Sequence, residues 1–242
     1  MVKRAVYMKP IAILIAGDPV PQAKALQGGF EAMVRRHSGQ ETWLDVDLRT
    51  GAELPAIDAI AGAIVTGSAS SVTDREAWTL RGEELLQRLV AQQVPVLGIC
   101  YGHQMLGQAL GGQVQKNPNG REIGTVNVEQ IESDPIVGAL PRYGINATHV
   151  DSVTLLPPNA RVLARTALDP NAAVRFGEQA WGVQFHPEFD QEVMRAYIES
   201  RLERLAAENI DAEKLLQEVA QTPAGPEILR RFVRHVRDRR AP

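Results

Sequence analysis

The stretch from Val94 to Gly112, VPVLGICYGHQMLGQALGG, constrains the fold of this 242-residue chain more than any other. Its first part, Val94 to Ile99, is an apolar run typical of a buried strand, and His103 to Leu110 has helix-like spacing that ends at two glycines. Between them lies G-x-C-x-G at Gly98 to Gly102, the cysteine form of a nucleophile elbow. Such a turn presents its central side chain at the carboxyl end of a sheet, so the sequence predicts an α/β fold with a nucleophile at Cys100.

Cys100 is the only cysteine of the chain. Without its neighbours it would be interpreted as a buried structural thiol, because free cysteines are among the most buried residues. The flanking glycines and the following helix favour a nucleophile instead. A free thiol is mostly protonated at pH 7, and a helix N-terminus stabilises a thiolate by only about 0.3–1 kcal/mol. The nucleophile therefore requires a base from elsewhere in the chain.

The best candidate for this base lies in Trp181 to Phe189, WGVQFHPEF. Gly182 to Phe185 is typical of a strand, which Pro187 ends because proline cannot donate to a ladder. His186 then lies at a strand end, where active sites of α/β proteins are found. Glu188 can accept a hydrogen bond from the imidazole and fix its tautomer. Alone, H-P-E is a weak signal, but together with the elbow it is a strong one.

The segment Ala63 to Ser71, AIVTGSASS, predicts a strand that enters a loop of small residues. Attack on an amide carbonyl needs N–H donors that face the developing oxyanion. The amide of Tyr101 is one candidate donor, and Gly67 or Ser68 supplies the second. Taken alone, this loop is equally compatible with an ordinary turn.

These motifs resemble those of the class I glutamine amidotransferases, of the stand-alone type related to the amidotransferase domain of GMP synthase. The resemblance extends from Pro10 to Met194, and its most specific parts are VLGICYGHQMLGQALGG, TGSASSV, ATHVDSV and WGVQFHPEF. It implies a Cys100–His186–Glu188 triad that hydrolyses the side-chain amide of L-glutamine through a γ-glutamyl thioester.

The resemblance also implies a set of substrate-binding residues, namely Gln104, Thr148, His149, Val150 and Asp151. Two departures from the family pattern affect the site. Gly67-Ser68-Ala69 stands where the family commonly has Gly-Gly-Pro, which preserves a backbone donor but not its exact placement, and Val150 stands where glycine is frequent. Arg121 to Gly124 either reaches the pocket or forms a solvated turn.

Two other functions stay open. A γ-glutamyl peptidase would use the same chemistry on another small γ-glutamyl compound, and a non-catalytic regulatory subunit would use none. No ATP-dependent synthetase domain follows the amidotransferase motifs in this sequence, so the resemblance does not extend to GMP synthesis. A separate synthetase or ammonia-accepting subunit is the expected partner, and the oligomeric state is not indicated.

Composition narrows the remaining classes. Charged residues make up 23% of the chain and its net charge is −3, which favours neither a nucleic-acid nor a membrane partner. A single cysteine, with no signal-peptide pattern in Met1 to Pro10, predicts a cytoplasmic location. The histidines lack zinc-ligand spacing and no phosphate-binding glycine motif is present, so we expect no metal and no cofactor.

The first half of the chain predicts a three-layer α/β fold, flavodoxin-like, with a mostly parallel sheet between helices. Apolar strands at Ile11 to Ala16, Thr42 to Leu48 and Ile60 to Thr66 alternate with helices at Gln22 to His37 and at 74–93, the latter capped by Asp74. After Gly112, short strands separated by turns predict antiparallel additions to the sheet edge, with a hairpin-type turn at Asn119-Gly120.

The C-terminal part predicts helices. These are expected at Asp190 to Glu208, Asp211 to Ala220 and Glu227 to Arg240. We assign residues 1–208 to the amidotransferase domain and residues 209–242 to a helical extension of the same domain. The last helix has an apolar face that should dock on this domain or on another subunit, and its arginines predict a solvated face.

Overall fold

Eleven strands lie in the part of the chain that the computed structural model describes, residues 9–239. In chain order they are β1 (Ile11–Ile15), β2 (Trp43–Asp47), β3 (Gly62–Val65), β4 (Val96–Ile99), β5 (Gln113–Lys116), β6 (Glu122–Gln130), β7 (Arg142–His149), β8 (Asp151–Leu155), β9 (Arg161–Arg165), β10 (Ala173–Gly177) and β11 (Ala180–Val183). Nine of them form one sheet in the order β2-β1-β3-β4-β11-β10-β9-β6-β7.

Helices connect and cover these strands. They are α1 (Pro21–Gln27), α2 (Phe30–Ser38), α3 (Ala77–Ala91), α4 (Tyr101–Ala109), α5 (Gln191–Glu199), α6 (Leu202–Ala207), α7 (Ala212–Glu218) and α8 (Ala224–Asp238). Single turns of 3₁₀ helix lie at Leu48–Thr50, Ile57–Ala59 and Val72–Asp74. None of the described helices is both long and apolar enough to cross a membrane.

Side-chain alternation along the parallel strands produces the three layers. In β1, Ile11 and Ile13 join a core with residues of α2 and α8, whereas Ala12 and Leu14 join a core with α3 and α4 on the other face. All four side chains are fully buried, as expected where helices cover both faces of a parallel sheet. The predicted three-layer α/β architecture is confirmed.

The sheet has a parallel half and an antiparallel half. Strands β2, β1, β3, β4 and β11 are parallel, and β10, β9, β6 and β7 extend the sheet with antiparallel pairing. The predicted antiparallel additions are therefore present, with two corrections. Strand β11 is parallel and lies inside the sheet beside β4, and β5 and β8 pair with each other outside it.

Two predicted helices are each divided in two. The predicted helix Gln22–His37 breaks at Gly28, whose φ of +83° ends α1, and α2 starts after Gly29. Glycine reaches this left-handed region without a steric penalty, so the pair ends a helix that the apolar spacing alone would continue. The predicted helix 190–208 likewise breaks at Ser200 and Arg201 between α5 and α6, although Asp190 caps it as expected.

Two local predictions were wrong. Asp74 does not cap α3, which begins at Ala77; it ends the preceding 3₁₀ turn in a capping box with Ser71. The turn at Asn119-Gly120 forms, with the Gly120 N–H 3.1 Å from the Asn117 carbonyl, but it does not make a hairpin. It joins β5 to β6, which belong to different sheets, because each strand finds its partner much later in the chain.

The last helix docks on this domain. Its five buried apolar side chains join the core beneath β1, β3, β4 and β11; they are Ile228, Leu229, Phe232, Val233 and Val236. Its arginines form ion pairs at the surface, among them Arg230 with Glu227 and Arg237 with Glu41. Arg240 and the chain start lie outside the described residues, and the division at residue 208 stays a prediction.

The packing of α8 generates a stability prediction. Phe232 is fully buried, so Phe232→Ala should lower the free energy of unfolding by about 3–5 kcal/mol through lost burial and a cavity. Arg234→Ala on the exposed face of the same helix should change it by less than about 0.5 kcal/mol. Urea denaturation measures both. Equal, small effects would mean that α8 is not part of the folded core.

Candidate active site

The predicted nucleophile lies where β4 turns into α4. Cys100 has φ 50° and ψ −101°, a left-handed conformation that costs a non-glycine residue about 1–3 kcal/mol. Its backbone N–H donates to the Val183 carbonyl of β11 at 2.8 Å, which holds the turn in place. Three neighbouring parallel strands, β3, β4 and β11, end at this point, and each continues into a segment that carries a candidate site residue.

The glycines of the elbow are required by close backbone packing. A Cβ atom on Gly98 would lie 2.4 Å from the Gly102 carbonyl oxygen and 2.7 Å from the His103 nitrogen. A Cβ atom on Gly102 would lie 2.4 Å from the Val65 carbonyl oxygen of β3. Only glycine fits at either position, and so the first turn of α4 sits directly against the strand ends.

His186 follows β11 and is almost fully buried. Its N–H donates to the Asn146 carbonyl at 2.8 Å, and its ring stacks on Phe189 with 4.0 Å between the ring centres. Its Nδ1 lies 2.8 Å from Oε1 of Glu188, which is fully buried. This arrangement leaves Nε2 as the ring nitrogen that can serve Cys100.

The electrostatics of the pair favour a protonated imidazole. Burial acts to lower the pKa of His186, but the charge of Glu188 and the sulfur of Cys100 outweigh it and raise the pKa of His186 to about 10. Cys100 therefore lies close enough to His186 for the two groups to share a proton. An imidazolium between a carboxylate and a sulfur also stabilises negative charge on that sulfur.

Asn146 is a site residue that sequence reasoning missed. Its Nδ2 donates to the carbonyls of Phe189 (3.1 Å) and Asp190 (3.4 Å), and its Oδ1 accepts from Thr125 at 2.8 Å. Through these bonds, strand β7 fixes the loop that carries His186 and Glu188. No local pattern reveals it, because the partners are about forty residues apart in the chain.

The candidate oxyanion donors surround the elbow. Tyr101 is the first residue of α4, so its N–H has no partner within the helix, and its hydroxyl is engaged with Thr79 at 2.7 Å. On the opposite side, the Thr66 hydroxyl bonds the Gly67 carbonyl at 3.1 Å and fixes the peptide between Gly67 and Ser68. Ser68 lines the same cavity as Cys100, which favours its amide as the second donor.

A cavity of about 390 Å³ opens beside Cys100. All five predicted substrate-binding residues line it; they are Gln104, Thr148, His149, Val150 and Asp151. The Cys100 sulfur lies 3.9 Å from the Thr148 carbonyl. The structure thus brings the elbow and the loop between β7 and β8 together, although they are about fifty residues apart in the chain.

Two of these side chains are engaged with the protein itself. Gln104 Nε2 donates to the Asp151 carbonyl at 2.8 Å and to Gln184 Oε1 at 3.2 Å. The buried His149 ring bridges the Asp151 carbonyl and Glu122 Oε2, both at 3.0 Å. Gln104 and His149 therefore shape the loop, and the carboxylate of Asp151, held at 2.5 Å by Ser71, is the group that faces the cavity.

Three arginines complete the cavity wall, namely Arg121, Arg201 and Arg204. Sequence analysis left Arg121 undecided and missed the other two. Those two lie at the start of α6 and within it, far from the motifs, and only the bend between α5 and α6 brings them to the site. The part of the chain that the structure describes has no cluster of three or more side chains suited to a metal ion.

Comparisons with known proteins agree with this geometry. The sequence model of the glutamine amidotransferase class-I family matches residues 35–204. A glutamine-hydrolyzing GMP synthase from Aeropyrum pernix is 38% identical over 134 residues, which cover 55% of this chain and 25% of that protein. The chain thus spans about a quarter of that relative. A separate subunit of the glutamine-hydrolyzing GMP synthase of Methanothrix thermoacetophila is 34% identical over 154 residues, covering 61% of this chain and 81% of that relative.

A solved structure extends the likeness to the whole fold. A glutamine amidotransferase from Thermotoga maritima superimposes with a TM-score of 0.74 over 93% of this chain and 97% of its own. The two sequences are 22% identical, so this similarity concerns the fold.

The close packing of the elbow predicts that Gly98→Ala is destabilising. The added Cβ would meet only backbone atoms, which cannot move aside, so we expect a loss of about 1–3 kcal/mol or more in the free energy of unfolding. Gly144→Ala is the matched control, since its Cβ would lie 3.7 Å from the nearest atom. Urea denaturation of the two variants tests this; equal stabilities would contradict the packing.

The raised pKa of His186 predicts a pH dependence. Since that pKa, about 10, exceeds the ordinary 6.5, the stabilisation from protonated His186 is complete below about pH 6.5 and is lost as the pH rises to about 10. The difference in free energy of unfolding between the wild type and His186→Gln should therefore shrink from pH 7 to pH 10. Denaturation at several pH values measures it.

His235→Gln is the control for this experiment. Burial lowers the pKa of His235, so its ring is neutral throughout the interval from pH 7 to pH 10. Its difference from the wild type should stay constant there. A constant difference for His186→Gln as well would mean that His186 is neutral in the folded chain.

Proposed function

The chain belongs to the class-I glutamine amidotransferase family, and from that premise we propose that it hydrolyses the side-chain amide of L-glutamine to glutamate and ammonia. One observation carries the proposal. Cys100 stands in a strained turn at the start of α4, beside an imidazole whose Nδ1 is 2.8 Å from a buried carboxylate. These are the three parts of a Cys-His-Glu triad.

In the first half of the reaction, the Cys100 sulfur attacks the carboxamide carbon as a thiolate. The Tyr101 amide, with that of Ser68 or Gly67, stabilises the oxyanion of the tetrahedral intermediate. The His186 imidazolium gives its proton to the amide nitrogen, the carbon–nitrogen bond breaks, and ammonia leaves. A γ-glutamyl thioester on Cys100 and a neutral imidazole are left.

In the second half, water attacks the thioester while His186 accepts its proton. The second tetrahedral intermediate expels the Cys100 thiolate, which releases glutamate and restores the imidazolium–thiolate pair. Glu188 holds Nδ1 throughout, so Nε2 faces the reacting atoms in both halves. Because Glu188 is fully buried, its charge acts on His186 with little screening by solvent.

The loop Thr148–Asp151 would bind the amino-acid end of the substrate. The Asp151 carboxylate complements the α-ammonium group of glutamine. Its position is set by Ser71, and the loop backbone is set by Gln104 and His149. These residues would thus contribute to binding mainly by fixing the shape of the loop.

A second candidate function keeps this chemistry and changes the substrate. Three arginines line the cavity, which is a stronger positive wall than the zwitterionic glutamine needs. A γ-glutamyl compound with an additional anionic group would fit such a wall. Hydrolysis of a γ-glutamyl dipeptide in the absence of glutamine turnover would select this function.

A separate protein would receive the ammonia under the first proposal. Two relatives are named as single subunits of GMP synthase, and such a name describes one part of an assembly. We propose that the partner of this chain is an ammonia-accepting subunit and that its location is the cytoplasm, in line with a single unpaired cysteine.

The triad is tested by glutamate release from L-glutamine. Cys100→Ala should lower the rate by about 10⁴-fold or more, because no nucleophile is left. Glu188→Gln should lower kcat strongly with little change in KM, because the amide cannot stabilise the imidazolium. His235→Gln, remote from the cavity, should keep the wild-type rate.

Trapping the intermediate makes the test more specific. Acid quench during turnover should yield a γ-glutamyl adduct on Cys100 in the wild type and none in Cys100→Ala. Glutamate release that survives in Cys100→Ala would refute the mechanism.

A further inference from the structure

Arg201 lies in the bend between α5 and α6, where it lines the cavity beside Cys100. Its guanidinium lies 4.7 Å from the centre of the Tyr197 ring. Nη1 donates to the Tyr197 carbonyl at 3.2 Å and to Ser200 Oγ at 3.3 Å. Since Tyr197 is buried on α5, the ring and the backbone hold a planar cation in one place at the cavity wall.

Arg201 differs from the other two arginines of the cavity because it has no counter-ion within residues 9–239. Arg121 makes two bonds to Glu208, at 2.7 and 3.0 Å, and Arg204 lies 3.4 Å from the same carboxylate. No described carboxylate forms an ion pair with Arg201, and its Nε and Nη2 donate to none of those residues.

A half-buried cation without a partner is costly, because burial removes the water that solvates it. At Arg201, burial is the main influence and lowers the pKa of the guanidinium, while negative charge at Tyr197 and Cys100 acts the other way. An anionic ligand in the cavity would supply the missing charge. Two neighbouring N–H groups of a guanidinium match the two oxygens of a carboxylate.

We propose that Arg201 is a specificity-determining residue that binds a carboxylate of the substrate. The proposal rests on the proposed function, since it assigns a contact to the γ-glutamyl substrate. The α-ammonium group and this carboxylate would then have partners of opposite charge, Asp151 and Arg201. The carboxylate is either the α-carboxylate of the glutamyl unit or one carried by the group on the scissile nitrogen.

Equilibrium binding to Cys100→Ala tests the proposal without turnover. Isothermal titration would compare L-glutamine with its α-carboxamide, L-glutaminamide, and γ-glutamylglycine with γ-glutamylglycinamide. Each pair differs only in one carboxylate. The same four ligands would be titrated into Cys100→Ala with Arg201→Gln, with Arg201→Lys, and with Arg195→Gln, which removes an exposed arginine of the adjoining helix α5.

We expect Cys100→Ala to bind the carboxylate member of one pair at least about 10-fold more tightly than its amide. Arg201→Gln should abolish this preference, Arg201→Lys should retain part of it, and Arg195→Gln should leave it unchanged. Loss of the preference in the glutamine pair identifies the α-carboxylate, and loss in the dipeptide pair identifies the other source. An undiminished preference in both Arg201 variants, equal weakening of all four ligands, or no binding at all would overturn the proposal.

The fate of the proposed function is read separately. The chain with Cys100 intact is assayed for glutamate release from L-glutamine and from γ-glutamylglycine. Hydrolysis with an undiminished carboxylate preference in the Arg201 variants would keep the function and remove the role of Arg201. Arg201-dependent binding without hydrolysis would do the reverse.

Discussion

The active site depends on one steric constraint, the direct contact between the first turn of α4 and the ends of β3 and β4. Gly98 and Gly102 permit this contact because a Cβ atom at either position would lie 2.4 Å from a backbone oxygen. The contact fixes the left-handed conformation of Cys100 and aims the free N–H groups of α4 at the space beside the sulfur. It also brings the Cys100 N–H to Val183, so that β11 and the following His186 are placed by the same turn.

Sequence analysis predicted the parts of the fold that local signals determine. Buried strands before the elbow were readable because apolar runs are bounded by loops, and the caps Asp190 and Asp211 were identified correctly. The predictions failed where pairing is non-local. Strand β11 lies in the interior of the sheet beside β4, and the Asn119-Gly120 turn joins two sheets, because strand partners are chosen by the whole fold. Gly28 divided a helix because its backbone preference outweighed the apolar spacing.

The same distinction applies to the candidate site. Cys100, His186 and Glu188 stand in compact motifs, so they could be named from the sequence, and the structure places them around one cavity mouth. Asn146 and Arg201 could not be named, since the first acts through bonds to residues some forty positions away and the second reaches the cavity only because a helix bends. The predicted pocket residues Gln104 and His149 lie at the cavity, but their polar atoms are engaged in holding the loop.

The position of β11 has a consequence for synthesis on the ribosome. The strand that completes the parallel half comes from residues 180–183, and the helix that covers its outer core comes from residues 224–238. Until then the nascent chain presents β4 as an open sheet edge, a surface on which other strands can pair. Such long-range closure is slow relative to local helix formation. The emerging chain should thus be a client for chaperones, and the nucleophile becomes reactive only when synthesis is nearly finished.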